Sequence, residues 1–410
     1  MSLFARVGHS CAMAAVLSMM PALPASAQTR AYVGNFKDQS VSVVDTGRGQ
    51  VVATVPVGPG PHGMAVSIDG RQVFVGADAG STVSVIDTVS DRVTAEIEVG
   101  QSPHGLVMSP DGRVLLVGVY GEDRVAWVDV ATRQVSQRVE VAKPHTLAVH
   151  PDGHRAYVAS QQPGDFALVV LDLDRRAVAR RIPLARPPRD LEFGMEGRFL
   201  YFTLAGEDAV QVLDPRDDRV VATIATGPSP HVAKVAAGST VGLVVVQGTN
   251  ALMRFDAATS QPGAAIPVGR QPHWMSFYDQ GAAVAVTNEG SDSLSLVDLA
   301  TGKVRTVDVG RGPRKVVTVE LSSAARAAAA VTIRNFAFAP AVLTVRACST
   351  VTWSNDDGSP HGVATADRGV SSDVLLPGEQ YAQTFPDPGT FDYVCSVHPY
   401  MAGRVVVVPH

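Results

Sequence analysis

Along most of the chain, short runs of alternating apolar and polar residues are broken by Gly, Pro, Asp and Asn. Alternation in twos predicts strands with one buried face, whereas an amphipathic helix would need a period near 3.6. One pattern, β-branched or apolar residues ending in Asp, recurs seven times. It appears as Val41-Ser-Val-Val-Asp45, Val83-Ser-Val-Ile-Asp87, Val125-Ala-Trp-Val-Asp129 and Leu168-Val-Val-Leu-Asp172, then as Val210-Gln-Val-Leu-Asp214, Leu252-Met-Arg-Phe-Asp256 and Leu294-Ser-Leu-Val-Asp298. The steps between aspartates are 42, 42, 43, 42, 42 and 42 residues. Each copy carries four strand-like runs; in the second these are Gly63–Ser67, Gln72–Gly76, Val83–Asp87 and Val93–Val99, with Asp69-Gly70 as a hairpin turn. Four strands per repeat of this length describe a β-propeller blade, and the alternation in twos excludes a stack of helix pairs.

The first copy lacks an opening strand and begins at Tyr32-Val-Gly-Asn35, while Pro313–Val319 offers an eighth opening strand with no blade behind it. Pairing the two would complete seven four-stranded blades and cover the edges of the ring. Tyr32-Val-Gly-Asn35, Ser109-Pro-Asp-Gly112, Val83-Ser-Val-Ile-Asp-Thr88 and Val57-Gly58 resemble the YVTN-type propeller repeats of exported and surface-layer proteins. The resemblance covers roughly residues 30–321 and implies a propeller, which with the repeat count gives a seven-bladed domain over residues 28–321; such a scaffold hosts many unrelated activities.

An Ala-rich stretch, 322–330, then breaks the period and reads as a linker. Residues 331–410 have a different rhythm, with runs at Val331–Ile333, Leu343–Val345, Thr350–Trp353, Gly389–Cys395 and Arg404–Val408. Turns at Asn355-Asp-Asp-Gly358 and Pro386-Asp-Pro-Gly389 suit a small Greek-key sandwich, so the fold class is all-β throughout. In Cys395-Ser-Val-His398-Pro-Tyr-Met401 a thiolate, an imidazole and a thioether follow one another at steps of three, in a loop leaving a strand. A second imidazole, His361, stands in Ser359-Pro-His361-Gly-Val363. Two His, one Cys and a weak axial Met make the blue-copper donor set, in which soft sulfur suits Cu(I) and imidazole suits Cu(II). The set is a poor one for structural zinc. A dinuclear copper site needs a second Cys in the loop, and 396, 397 and 399 are Ser, Val and Pro.

This region resembles the amicyanin/plastocyanin branch of the cupredoxins in Phe338-Ala-Pro340, Val351-Thr-Trp353, Asn355, Pro360-His361, Phe385 and Gly389-Thr-Phe-Asp-Tyr393; the short ligand loop is amicyanin-like. The resemblance implies one copper held by His361, Cys395, His398 and Met401, with His398 as the exposed route for the electron. It also makes two departures visible. Gly362 stands where the family often has a polar residue such as Asn, and Cys348 occupies a turn that usually carries Gly or another small residue. A Cys348–Cys395 disulfide is the competing reading, because in an oxidising compartment two cysteines pair by default. It would waste three further ligands in register.

That compartment follows from the N-terminus. Arg6 and His9 precede an apolar stretch from about Cys11 to Leu23, and Pro24-Ala-Ser-Ala27-Gln28 ends it, which describes a secretory signal over 1–27 cleaved after Ala27. The run is shorter than the roughly 20 residues of a spanning helix, and no later segment spans a membrane. Export points to a periplasmic or otherwise exported protein; loss of Arg6 with the signal takes the 34 Lys+Arg of the full chain to 33 against 39 Asp+Glu, and the charge from −5 to −6. No basic run suggests nucleic acid. With 46% hydrophobic and 18% charged residues the chain is globular.

A second constellation belongs to the propeller. After the Pro that begins each opening strand come His62, His104, His145, Arg189, His231, His273 and Arg314. Equivalent positions in successive blades converge on the central channel, so five His and two Arg would ring one of its mouths. One reading is that the repeat copies Pro-His for shape alone. The other is a channel site for a second copper or a small anion, as in nitrous oxide reductase, where a propeller with a His-lined copper channel is also joined to a cupredoxin. The repeating aspartates read as turn caps. No Cys-x-x-Cys-His is present, which excludes covalent c-type haem, and neither a phosphate-cradling Gly loop nor a nucleophile elbow appears. Three functions remain: an electron carrier serving a redox protein partner with the propeller as scaffold or docking platform, a copper-dependent oxidoreductase, and a surface interaction protein.

Overall fold

The computed structural model describes residues 28–321, 330–346, 349–366, 369–385 and 389–408. The expected signal segment, most of the Ala-rich linker and Cys348 lie outside them. Each repeat folds as a four-stranded antiparallel sheet, and there are seven such sheets among the described residues up to Leu321. In the second, the strands are Pro61–Val66, Gln72–Ala77, Thr82–Asp87 and Arg92–Glu98. Burial falls from the channel outward, as the matching first-blade strands show. Ser40–Asp45 is buried throughout, whereas Gln50–Pro56 on the outside is mostly exposed.

The ring closes as the sequence pattern predicts. Gln28–Asn35 lies between Ser40–Asp45 and Pro313–Leu321, with Tyr32 opposite both Val43 and Val317. Pro313–Leu321 thereby becomes the innermost strand of the first blade, in contact with the innermost strands on both sides, Pro272–Tyr278 and Pro61–Val66.

Every repeating aspartate caps the turn that follows it. The Oδ1 atoms of Asp45, Asp87, Asp129, Asp172, Asp214, Asp256 and Asp298 accept backbone N–H bonds from residues two or three positions on, at 2.7–3.0 Å. These bonds hold the carboxyls of Asp129, Asp172 and Asp298 below the usual carboxylate range. Adjacent blades are tied by buried tyrosines: the Tyr32 hydroxyl donates to Asp91 at 2.7 Å, and that of Tyr157 to Asp218 at 2.5 Å.

The C-terminal domain consists of two four-stranded sheets. One contains Ala337–Ala339, Ala330–Arg334, Ser349–Asn355 and Gln380–Phe385; the other contains Val342–Arg346, Ala402–Val408, Gly389–Val394 and Ala364–Thr365. Parallel pairs (Val331 opposite Trp353, Leu343 opposite Val405) mix with antiparallel ones. The core between the sheets holds Ile333, Phe338, Trp353, Phe385, Tyr393 and Val405. Three strands escape the sequence reading: Ala337–Ala339, Ala364–Thr365 and Gln380–Phe385. Of the last only Phe385 is fully buried, so its alternation is faint.

Close approach of the inner strands fixes the width of the channel. A Cβ on Gly105 would stand 2.4 Å from the carbonyl oxygen of His145, and one on Gly63 2.2 Å from that of His104. Because the obstacle is backbone, Gly105→Ala should push neighbouring blades apart and destabilise the propeller by about 1–3 kcal/mol, measured as a lowered midpoint in chemical denaturation.

Candidate metal centre and the propeller channel

Cys395 follows the strand Gly389–Val394, and Met401 precedes Ala402–Val408. The loop between them is closed by its own backbone: Cys395 N–H donates to Met401 O and Met401 N–H to His398 O, both at 3.0 Å. So short a loop turns the His398 ring back over Cys395. His361 comes from the neighbouring segment after Asn355, which fixes it by pairing with Leu375 in both directions, at 3.0 and 2.7 Å.

Three donor atoms meet there. Cys395 Sγ lies 3.6 Å from His361 Nδ1 and 3.8 Å from His398 Nδ1, and the two nitrogens are 3.3 Å apart. A point equidistant from all three is about 2.1 Å from each, the length of an ordinary metal–nitrogen bond and close to that of a metal–sulfur bond. Among the described residues no other group of three His, Cys, Asp or Glu donors converges in this way. Cys395 is a free, fully buried thiol. Met401, 3% exposed, sits beside it in the same core.

The surroundings suit a cation. His361 Nε2 lies 2.9 Å from Asp357 Oδ2, so the proton belongs on Nε2 and the Nδ1 lone pair faces the centre of the triangle. Cys395 Sγ accepts N–H bonds from Gly362 at 3.4 Å and His398 at 3.3 Å. An electron-rich sulfur and an imidazole lone pair held together without a proton between them fit a copper ion. Gly362 also has a local reason: a Cβ there would meet Ser396 Oγ at 2.0 Å.

Asp357 and Phe336 are missed by the sequence reading, which sees only a turn at 355–358. The Asp357 carboxylate accepts N–H bonds from Phe336 and Asn335 at 2.8 and 2.6 Å as well as facing His361, and these hold it below the usual range. Asn335 and Phe336 both take positive φ, 52° and 56°. That turn lays the Phe336 ring edge-on against His361 and His398, with centroids 5.3 and 5.0 Å apart. No sequence signal identifies this, because an Asp in an Asn-Asp-Asp-Gly turn looks like any turn acid.

The propeller residues also come together. The ring centroids of His62 and His104, and of His104 and His145, are 4.0 Å apart; those of His231 and His273 are 4.1 Å apart, and those of His273 and His62 5.6 Å. His145 Nδ1 lies 2.9 Å from the carbonyl oxygen of Arg189, Arg189 donates to Ser229 Oγ, and Arg314 pairs with Glu289. The imidazole rings pack against one another, His62 and His104 stacked, His104 with His145 and His231 with His273 tilted, and His62 with His273 edge to face, and among the described residues their donor atoms do not gather around one point. Beneath them the channel contains a cavity of about 280 Å³.

Fold and site together define a seven-bladed propeller carrying a cupredoxin. Residues 31–242 match the cytochrome D1 heme domain family, and residues 325–408 match the copper-binding proteins of the plastocyanin/azurin family. The chain belongs to the cytochrome D1 heme domain family and bears a plastocyanin/azurin copper-binding domain at its C-terminal end. It is 43% identical over 67 residues to amicyanin-alpha of Methylorubrum extorquens and 42% over 64 residues to amicyanin of Paracoccus denitrificans. These alignments cover 15% and 14% of this chain, and they span about half of each relative, 56% and 48%. The periplasmic gluconolactonase of Pseudomonas aeruginosa superposes on 72% of this chain and 99% of its own, with a TM-score of 0.60 at 22% identity, a likeness of fold alone. No helix among the described residues is long and apolar enough to cross a membrane.

The first family's name carries a haem, and this channel does not fit one. Packed imidazoles fill its mouth, and the cavity beneath is smaller than the 300–1,000 Å³ typical of pockets for drug-sized ligands, which a haem exceeds.

Burial, reinforced by neighbouring imidazoles and arginines, holds His62, His145 and His273 well below the usual imidazole range and His231 down to about 3. A depressed imidazole contributes stability that is complete above its unfolded value, near 6.5, and is lost as pH falls toward its folded value. Between about pH 6.5 and 5 the unfolded chain should therefore bind up to about four more protons than the folded one, roughly 1.4 kcal/mol per pH unit for each. Denaturation midpoints measured across that window should fall with pH, and replacing these His by Gln should flatten the slope.

Proposed function

We propose that the protein is an exported one-electron carrier in which His361, Cys395, His398 and Met401 hold a single copper. The observation that supports this most directly is the triangle of Cys395 Sγ, His361 Nδ1 and His398 Nδ1. When bound, copper supplies the reversible one-electron chemistry. The chain supplies a preset donor geometry, a sulfur that accepts two N–H groups and a core that excludes water, all of which keep reorganisation small. His361 and Cys395 are fully buried, so His398, half-exposed, is the ligand through which an electron would pass. Phe336, Val397 and Tyr400 are exposed around it, Tyr400 at 72%, and form an apolar face suited to a redox protein partner. The propeller then acts as scaffold or docking platform.

A copper-dependent oxidoreductase with a second site at the channel mouth has one observation in its favour. His62 Nδ1, His104 Nε2, His231 Nδ1 and His273 Nδ1 are buried with no hydrogen-bond partner, and such groups favour a ligand. Metal analysis of the purified protein separates the two. One copper per chain with an intense visible thiolate-to-copper band, both lost in Cys395→Ser, is expected. More than one copper, reduced to one when the five channel His are replaced together, would favour the oxidoreductase.

Asp357 tests the ligand assignment from a second direction. Its carboxylate places negative charge beside the His361 ring and so favours the more highly charged oxidised metal. Asp357→Asn should weaken Cu(II) binding about tenfold or more and raise the midpoint potential, by about 59 mV for each tenfold difference between oxidation states. Equilibrium redox titration of the visible band reads the shift.

A further inference from the structure

Directly beneath the histidine mouth, the propeller channel carries two layers of charge. Asp190, Trp274 and Lys315 each follow a His or Arg of the ring, at the same repeat position as Gly63 and Gly105. Two residues further on, Glu192 and Lys234 share another position, where other blades have Ala, Val or Ser. All five line the cavity of about 280 Å³.

The two layers differ in how well they are satisfied. Glu192 and Lys234 form an ion pair with each other. Asp190, 2% exposed, has a buried Oδ2 with no hydrogen-bond partner. Among the described residues the Lys315 ammonium makes no ion pair; it rests on the Trp274 ring, 3.8 Å from the centroid. Burial pushes the Asp190 carboxyl up, with Glu192 adding to the effect, and pushes the Lys315 ammonium down, with Lys234 adding. One acid and one amine thus face the same space, each at a cost to its charged form.

We propose that this cavity binds a small zwitterion of the amino-acid type, with its ammonium on Asp190 and its carboxylate on Lys315. A ligand with one charge would leave the other group unpaired, whereas a zwitterion satisfies both. The volume suits a molecule at the small end of ligand size. Ala65, Val107 and Val317, at the strand position of Glu192 and Lys234, offer apolar walls to its side chain. Val66, Met108, Glu192, Lys234, Ser276 and Val317 are partly exposed and line the cavity away from the histidines, which leaves that end for entry. The proposal is independent of copper.

Isothermal calorimetry on the full chain tests it, with the common amino acids screened singly and with alanine, propionate and ethylamine as a matched set. At least one amino acid should bind at least about tenfold more tightly than the acid or amine that shares its skeleton. Asp190→Asn and Lys315→Met should each weaken that binding by about tenfold or more, since each strands one end of the ligand. Far-UV circular dichroism checks that the variants fold. Should Asp190→Asn fail to fold, Asp190→Glu replaces it and is expected to weaken binding by crowding the cavity. The proposal is overturned if no amino acid binds below about 10 mM, which would leave a cavity holding water only. It is equally overturned if the matched acid or amine binds as tightly, or if the folded variants bind like the parent.

Discussion

The pairing of Gln28–Asn35 with Pro313–Leu321 is the contact on which the propeller depends. It joins segments from opposite ends of the repeat array, so its loop-closure entropy is the largest in the domain. Without it the first and last blades would present open edges, and the circle of inner strands would have a gap at Arg314 and Lys315. Every feature of the channel, from the stacked imidazoles to the buried charges, needs all seven inner strands at one radius. Glycine at 63 and 105 lets neighbouring backbones come close enough to hold it.

The copper domain solves its geometric problem locally instead. Two backbone bonds close the loop from Cys395 to Met401, and two more bring His361 to it from the adjoining segment. The donors are therefore placed before any metal arrives, and the electron-rich centre is built by orienting one imidazole through Asp357 and two N–H groups through the sulfur.

Much of this architecture is legible in the sequence, for reasons that separate local from tertiary information. The blade count follows from the recurring Asp, because each one caps its own turn and must recur wherever that turn does. The donor set is legible because thiolate, imidazole and thioether are crowded into seven residues. Gln380–Phe385 is hidden because a mostly exposed edge strand has little apolar alternation to display. Asp357 and Phe336 are hidden because their roles arise from a fold that brings residues 335 and 361 to one carboxylate. Asp190 and Lys315 sit beside ring positions that the repeat makes conspicuous. The signal that could have found them is a charge at a position where other blades carry Gly, Thr, Val or Trp.

The Asp357 carboxylate has three partners: the ring nitrogen of His361 and the backbone of the turn that carries Phe336. One side chain therefore sets both the electronic character of a buried donor and the relief of the surface above it. For the proposed carrier, selection acting on how this face meets a redox partner cannot be independent of selection acting on how readily the centre gives up an electron. A lineage that changed its partner by remodelling the turn would inherit a shifted driving force at the same stroke.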